Sequence, residues 1–366
     1  MKKAKAAVLH DINKPMTIEE FEISEPERGQ ALVKMQVSGV CGTDLHQYHG
    51  RLTPSCPIVL GHEMAGVVDS ISETDSAATG LKKGDKVLTS VAVPCGKCRL
   101  CKMGHTSNCL DFGCTYARSP YEAPHLFGGY AEYAYFPVTN LFKVPEKLPI
   151  RTAGIFACGG PTVLNAFKQV TEDDLKEAET AVVQGTGPVG MFSVLYLKMN
   201  GVKNIVVIGN RKFDEARERV IKGLGATHLF TNAETSEEER LQKIMEMTGG
   251  IGADLVVEAS GNNKAFPEGL NLLRNCGTYL VPGQYSNTGG VLVKPEIITF
   301  KALRVLGASQ YAASDVKRYI ELMAKHRELW AAVDAVNTHQ FKVEEANEAI
   351  AAQERPDSIK VLLVAE

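Results

Sequence analysis

The sequence lacks any run of about 18 consecutive apolar residues, so no membrane helix is expected. Its start, Met1-Lys2-Lys3 followed by Ala6-Ala7-Val8-Leu9, is interrupted at once by His10 and Asp11. That apolar stretch is too short for a secretory core, and the cytoplasm is the expected location. A charge excess is missing as well: 40 Lys and Arg against 43 Asp and Glu leave a net charge of −3. Nucleic acid and anionic lipid surfaces are therefore not the expected partners. Internal repeats and low-complexity segments are absent. At 366 residues the chain exceeds what one core ordinarily serves, and two domains are expected. Its nine cysteines do not form the even spread of a disulfide scaffold, because Cys95, Cys98, Cys101 and Cys109 crowd into one stretch.

The first part reads as short β-segments between turns: Ala31–Val37, Pro57–Leu60, Ala65–Val68 and Lys86–Leu88, the last preceded by Gly84-Asp85. From Ala181 the pattern changes. Ala181–Val183, Asn204–Ile208, Asp254–Val257 and Thr278–Val281 read as buried strands, with helical patterns over Met191–Met199 and Phe213–Gly225. Such alternation implies an α/β domain whose parallel sheet is covered by helices on both faces. Helical patterns over Asp315–Lys325 and Val343–Gln353 and a closing strand, Lys360–Val364, follow. Residues 110–128 read as an irregular loop.

The motif Cys95-Gly96-Lys97-Cys98-Arg99-Leu100-Cys101, with Cys109 beyond it, offers four thiolates on one loop. Zn²⁺ takes four soft ligands at tetrahedral corners, and a closed sulfur shell of this kind is structural. Cys114 is an alternative fourth ligand. A second constellation combines Cys41-Gly42-Thr43-Asp44-Leu45-His46 with Gly61-His62-Glu63. Cys41 and His62, with Cys158 as third ligand, would hold Zn²⁺ and leave one position open to substrate. Taken singly, Cys41 and His62 also read as ordinary core side chains. Glu63 reads as a neighbour of the ligands or an occasional ligand, and Asp44 as the group that fixes a histidine tautomer.

The run Gln184-Gly185-Thr186-Gly187-Pro188-Val189-Gly190 follows an apolar strand and opens an apolar helix, the context of a dinucleotide-binding turn. Its glycines serve the tight turn, the approach to pyrophosphate and close helix–strand packing, and the helix N-terminus faces the phosphates. The next strand ends Val207-Ile208-Gly209-Asn210-Arg211-Lys212, without the carboxylate that would bind a ribose 2′-hydroxyl. Gly209 leaves room, and Arg211 or Lys212 can pair with a phosphate, which favours NADP over NAD. Asp214 reaching back to the ribose is the alternative.

Together these residues closely resemble the zinc-containing medium-chain dehydrogenase/reductase superfamily of alcohol and polyol dehydrogenases. Further landmarks are Gly84-Asp85-Lys86-Val87, Gly129-Tyr130-Ala131-Glu132-Tyr133 and Glu258-Ala259-Ser260-Gly261. The resemblance implies a GroES-like β-rich catalytic domain over residues 1–158 and 310–366, around a Rossmann domain at 159–309. It implies two zinc ions per chain: a catalytic one on Cys41, His62 and Cys158, and a structural one on Cys95, Cys98, Cys101 and Cys109. Thr43 stands where the family places the hydroxyl that bonds the substrate oxygen, and His46 where many members end a proton relay. The implied reaction moves a hydride between a secondary alcohol or polyol and NAD(P), in a homodimer or homotetramer. Cys158 in place of a carboxylate resembles the simple-alcohol type, whereas Cys41–Asp44 resembles polyol and threonine dehydrogenases equally. Phe112, Tyr116, Tyr121 and Phe127 are candidates for a substrate wall, and equally for packing or a subunit contact. A non-catalytic dinucleotide-binding sensor or structural protein on the same fold is the alternative reading; it would be expected to lose Cys41, His62, Glu63 and Cys158.

Overall fold

Beyond residue 180 the apolar strands assemble side by side as a six-stranded sheet. Its order is His228–Thr231, Asn204–Gly209, Thr180–Gln184, Ala253–Glu258, Leu273–Val281 and Arg304–Gly307. All neighbours are parallel. The inner strands are apolar at their centres because helices cover both faces; Val182, Val206 and Val256 belong to a core shared with Ile244, Leu270 and Leu272 of the flanking segments. The strand order runs outward one way from Thr180–Gln184 and then the other way from Ala253–Glu258. The carboxyl ends therefore part between Gln184 and Glu258, the crevice in which doubly wound sheets bind nucleotides. The two edge strands, His228–Thr231 and Arg304–Gly307, are short and only partly buried, which is why no apolar run announces them.

In this computed structural model, which describes residues 2–365, the chain divides into two units, Met1–Pro161 with Tyr311–Glu366, and Thr162–Gln310. The first unit is β-rich. Gln30–Gly39 is its longest strand and pairs with Met64–Ile71, Tyr133–Pro137 and the closing strand Lys360–Val364. Leu362 lies opposite Gly39, and the Val40 N–H donates to the Val361 carbonyl at 3.0 Å. The last strand is thereby laid beside the chain that leads into Cys41.

The helix after the second parallel strand is shorter than its pattern suggests. It spans Glu215–Leu224, because Asp214 is its N-cap and accepts the Arg217 N–H at 2.7 Å. Residues 110–128 are irregular apart from Gly113–Cys114, which pairs with Ala92–Val93. No helix among the described residues is long and apolar enough to cross a membrane.

Candidate metal and dinucleotide sites

Cys41 caps the helix Gly42–Tyr48, and that helix start is organised by Asp44. The Asp44 carboxylate is fully buried. It accepts the Cys41 N–H at 2.9 Å and the Gly61 N–H at 3.3 Å, and lies 3.5 Å from His62 Nδ1. One carboxylate thus ties the turn that carries Cys41 to the turn that carries His62. Cys158 arrives just before the helix Gly159–Phe167. Ligand atoms of Cys41, His62, Glu63 and Cys158 all lie within 4.8 Å of one another. Two thiols, an imidazole and a carboxylate at that spacing suit Zn²⁺, for which the donor-to-metal distances are about 2.0–2.3 Å. Asp44→Asn would keep the hydrogen-bond acceptor for Cys41 but remove the charge beside His62. It is expected to weaken metal retention about 10- to 100-fold in chelator competition; unchanged retention would contradict the orienting role.

The electrostatics of the cluster call for positive charge at its centre. A hydrogen bond from Cys158 holds Cys41 well below the usual thiol range, against burial and with help from His62 and Lys360. The same bond, together with burial, pushes Cys158 up. Burial alone would lower His62, but Cys41 and Asp44 outweigh it and hold the imidazole well above its ordinary range. Glu63 is pushed up to about 7 by burial, which Lys360 only partly offsets and Cys41 reinforces. Lys360 itself is fully buried; its Nζ donates to the Val40 carbonyl at 3.0 Å and to the Glu63 carboxylate. Gly39 leaves the room for this pair, since a Cβ there would fall 2.0 Å from Glu63 Oε2 and 2.7 Å from Lys360 Nζ.

Thr43 Oγ1 lies 3.8 Å from Cys41 Sγ. His46, in the last turn of the same short helix, is half-buried, and burial followed by Arg51 lowers its pKa. The Arg51 N–H donates to the His46 carbonyl at 2.7 Å. Of the four aromatic residues named for a substrate wall, Tyr116 is the one stacked on His62, with ring centroids 5.8 Å apart and its hydroxyl donating to Gln47 at 3.2 Å. Tyr121 lies at the surface and donates to Glu19. Phe127 is buried beneath the Arg118 guanidinium, and Phe112 is half-buried.

The second cluster gathers Cys95, Cys98, Cys101 and Cys109, with Sγ atoms within 4.8 Å of one another; Cys114 is not in it. Cys98 and Cys109 are 3.9 Å apart, close to the ~3.8 Å edge of a tetrahedron with 2.3 Å zinc–sulfur bonds. Backbone N–H groups of Cys98 and Cys101 point at the Cys95 and Cys98 sulfurs at 3.4 Å, and those of Cys95 and Asp111 at Cys109 at 3.2 and 3.3 Å. Donors from Cys101 and Leu110 hold Cys98 down to about 6, which favours the ligating thiolate.

At the parallel sheet, Gly185 turns with φ 111°, and a Cβ there would strike the backbone of Ala259 and Ser260 at 2.8 Å. A Cβ on Gly190 would fall 2.1 Å from the Gly185 carbonyl, whereas none lies within 4 Å of the corresponding position on Gly187. The turn is therefore packed below and open above, and Gly187 is the N-cap of Pro188–Met199, whose first turn carries Pro188 and Val189. This cradle suits a pyrophosphate. The end of the second parallel strand differs from the sequence expectation in three ways. Phe213 fills the room left by Gly209, its ring 2.3 Å from where a Cβ would sit. Lys212 pairs with Glu234 at 3.1 Å, and the Asp214 carboxylate serves its own helix rather than a ribose. Asn210 and Arg211 remain exposed. Arg217, which sequence reasoning missed, donates to Thr186 Oγ1 within the glycine turn at 3.2 Å.

Comparison with known proteins agrees with this picture. Residues 27–146 match the family model of the alcohol dehydrogenase GroES-like domain, and residues 188–325 that of the zinc-binding dehydrogenases. The chain is similar to 5-exo-hydroxycamphor dehydrogenase of Pseudomonas putida, with 32% identity over 96% of this chain and 95% of that one. A probable D-xylulose reductase A of Aspergillus terreus is 28% identical over 93% of this chain and 92% of its own. Among solved structures, an alcohol dehydrogenase from Thermotoga maritima superimposes with a TM-score of 0.90, at 32% identity and full coverage of both chains.

Proposed function

This chain belongs to the zinc-containing medium-chain dehydrogenase/reductase superfamily, and we propose that it transfers a hydride between a secondary alcohol or polyol and a nicotinamide dinucleotide, with zinc held by Cys41, His62 and Cys158. The observation that carries the reading is the gathering of Cys41, His62, Glu63 and Cys158 donor atoms within 4.8 Å. A zinc ion bound there supplies Lewis acidity that lowers the pKa of an alcohol oxygen, and a nicotinamide on the glycine turn supplies the hydride acceptor. The protein's part is orientation and proton handling. Asp44 ties the turn of Cys41 to that of His62, and the closing strand lies beside the chain that leads into Cys41, so two of the three ligands are preorganised. Lys360 neutralises Glu63 and holds one of its oxygens back. Thr43 Oγ1, beside Cys41, receives the alcohol proton, and the His46 ring takes it toward solvent. The four-cysteine lobe binds the second, structural zinc.

His46 accepts a proton only while neutral, so alcohol oxidation should fail below its pKa. Burial, and then Arg51, lowers that pKa, which puts the acid limb of kcat below the ~6.5 of a free imidazole. Arg51→Ala removes a positive neighbour and is expected to move the limb to higher pH; an unmoved limb would remove His46 from the relay.

For the nucleotide we propose NADP, bound at its 2′-phosphate by Arg211 and Arg217. A charge-assisted hydrogen bond contributes about 1.5–3 kcal/mol, so Arg217→Ala should cut the NADP⁺ to NAD⁺ ratio of kcat/KM roughly 10- to 100-fold. An unchanged ratio would reject Arg217, and a wild-type preference for NAD⁺ would reject NADP. A panel of secondary alcohols and polyols assayed with both nucleotides tests the whole proposal: zinc-dependent reduction of one nucleotide supports it, and no reduction with any alcohol contradicts it.

A further inference from the structure

The strand Ala253–Glu258 ends on a carboxylate that the reaction described above does not use. Glu258 is 0% exposed, and its Oε1 accepts the Ser260 N–H at 2.8 Å, the Ser260 hydroxyl at 2.5 Å and the Gly261 N–H at 2.9 Å. Burial raises the carboxyl's pKa, and the donors of Ser260 and Gly261, followed by Gln284, pull it back. A buried carboxylate is destabilising unless donors compensate it, and three donors converging on one oxygen favour an ionised acceptor over a neutral one. Those three belong to the next residues of the chain, so the charge curls the segment 258–261 back on itself. Gly261 completes the curl at φ 67°, a conformation glycine adopts without strain.

The curled segment is what the glycine turn packs against. The backbone atoms that a Cβ on Gly185 would meet at 2.8 Å are those of Ala259 and Ser260. The Ala259 N–H donates to the Gln184 carbonyl at 2.9 Å, which ties the segment to the residue leading into the turn. On the other side stands Gly283. Its N–H donates to the Glu258 carbonyl at 2.9 Å, and a Cβ there would fall 2.5 Å from Glu258 Oε2. Gly283 therefore leaves room for the carboxylate, and Gly185 leaves room for the segment that the carboxylate shapes.

Resting on the dehydrogenase reading above, we propose that Glu258 is a positioning residue for the dinucleotide: its carboxylate holds Ser260 and Gly261 in place beneath Gly185, and so keeps the glycine turn in the shape that receives a pyrophosphate. Glu258 acts through the turn and not at the ribose 2′-position. Its loss therefore weakens NAD and NADP alike, whereas loss of Arg217 changes the ratio between them. Preorganisation of this kind contributes to affinity by sparing the ligand the ordering of its own site.

The test uses Glu258→Gln, which keeps the side chain's size and one acceptor oxygen and removes the charge. Fluorescence titration of the purified holoprotein should show the dissociation constants of NADH and NADPH both rising about tenfold, as bonds to a charged acceptor become bonds to a neutral one. Calorimetry with ADP-ribose, which has the pyrophosphate and lacks the nicotinamide, should show the same loss without any turnover. In assays the fall in kcat/KM should enter through KM for the nucleotide. Ser260→Ala takes away one donor, leaves both backbone bonds and should weaken all three ligands about two- to tenfold, which decides the matter if Glu258→Gln does not fold. A merely structural role would lower the melting temperature and leave the affinities of the folded protein unchanged, and that result overturns the proposal. A loss confined to one of the two nucleotides overturns it as well, since the effect then lies at the ribose. If the wild type binds none of the three ligands, the dehydrogenase reading falls and Glu258 with it; equal binding by the wild type and both variants rejects the positioning role alone.

Discussion

Cys41→Ala is expected to lower kcat for alcohol oxidation by about a thousandfold or more while leaving the four-cysteine lobe intact. The size follows from what the residue does. Cys41 is the thiol held most strongly in its ionised form at the open cluster, through Cys158, His62 and Lys360. Without it, His62 and Cys158 are left with Glu63, whose carboxylate is engaged by Lys360. Loss of the Lewis acid forfeits several kcal/mol of transition-state stabilisation, and each 1.36 kcal/mol is a factor of ten. The lobe at Cys95–Cys109 shares no residue with this cluster. Thermal stability should therefore change far less than turnover. Full turnover in Cys41→Ala would show that the open cluster does no chemistry.

The second large effect is on stability. Lys360→Met leaves Glu63 buried without its partner. Removing one member of a buried ion pair costs about 3–5 kcal/mol, because the remaining carboxyl must either stay charged without compensation or take up a proton. Both side chains are almost wholly inaccessible, so little solvent screening relieves the loss. The double variant Lys360→Met with Glu63→Gln should recover most of the stability, since a neutral amide replaces the stranded carboxylate. Urea denaturation of the three proteins checks this. If Lys360→Met alone matches the wild type, the pair is not what holds the closing strand against Gly39 and Val40.

Much of the fold was legible because it rests on local patterns. The glycine turn stands between an apolar strand and an apolar helix, and the cysteine spacings confine four sulfurs to one loop; both signals are local in sequence. The closing strand was legible as a strand, but its charged member was not. Lys360 meets Glu63 across 297 positions, and nothing in Glu63's neighbourhood announces the partner. The signal available was a lysine inside the apolar run Ile359–Val364, since a lysine buried in a strand needs an acid or a carbonyl to face. Asp44 was readable as a partner for a histidine. Its other bonds, to Cys41 and Gly61 N–H groups, depend on a helix start that only the backbone shows. At the end of the second parallel strand, the lack of a carboxylate was legible in the sequence and the space beside Gly209 was not. Phe213 folds over Gly209, and Lys212 turns to Glu234, so two of the residues named there are spent on the protein itself. Arg217 escaped notice because it lies on the helix beyond the strand end, where only the fold returns it to Thr186.

Two separate clusters are proposed each to hold a metal ion, one of them open to substrate. Elemental analysis of the purified, nucleotide-free protein tests this most directly. Two zinc ions per chain are predicted, falling to one in Cys41→Ala, with the retained ion resistant to mild chelation. One zinc per chain in the wild type, or two in Cys41→Ala, would contradict it.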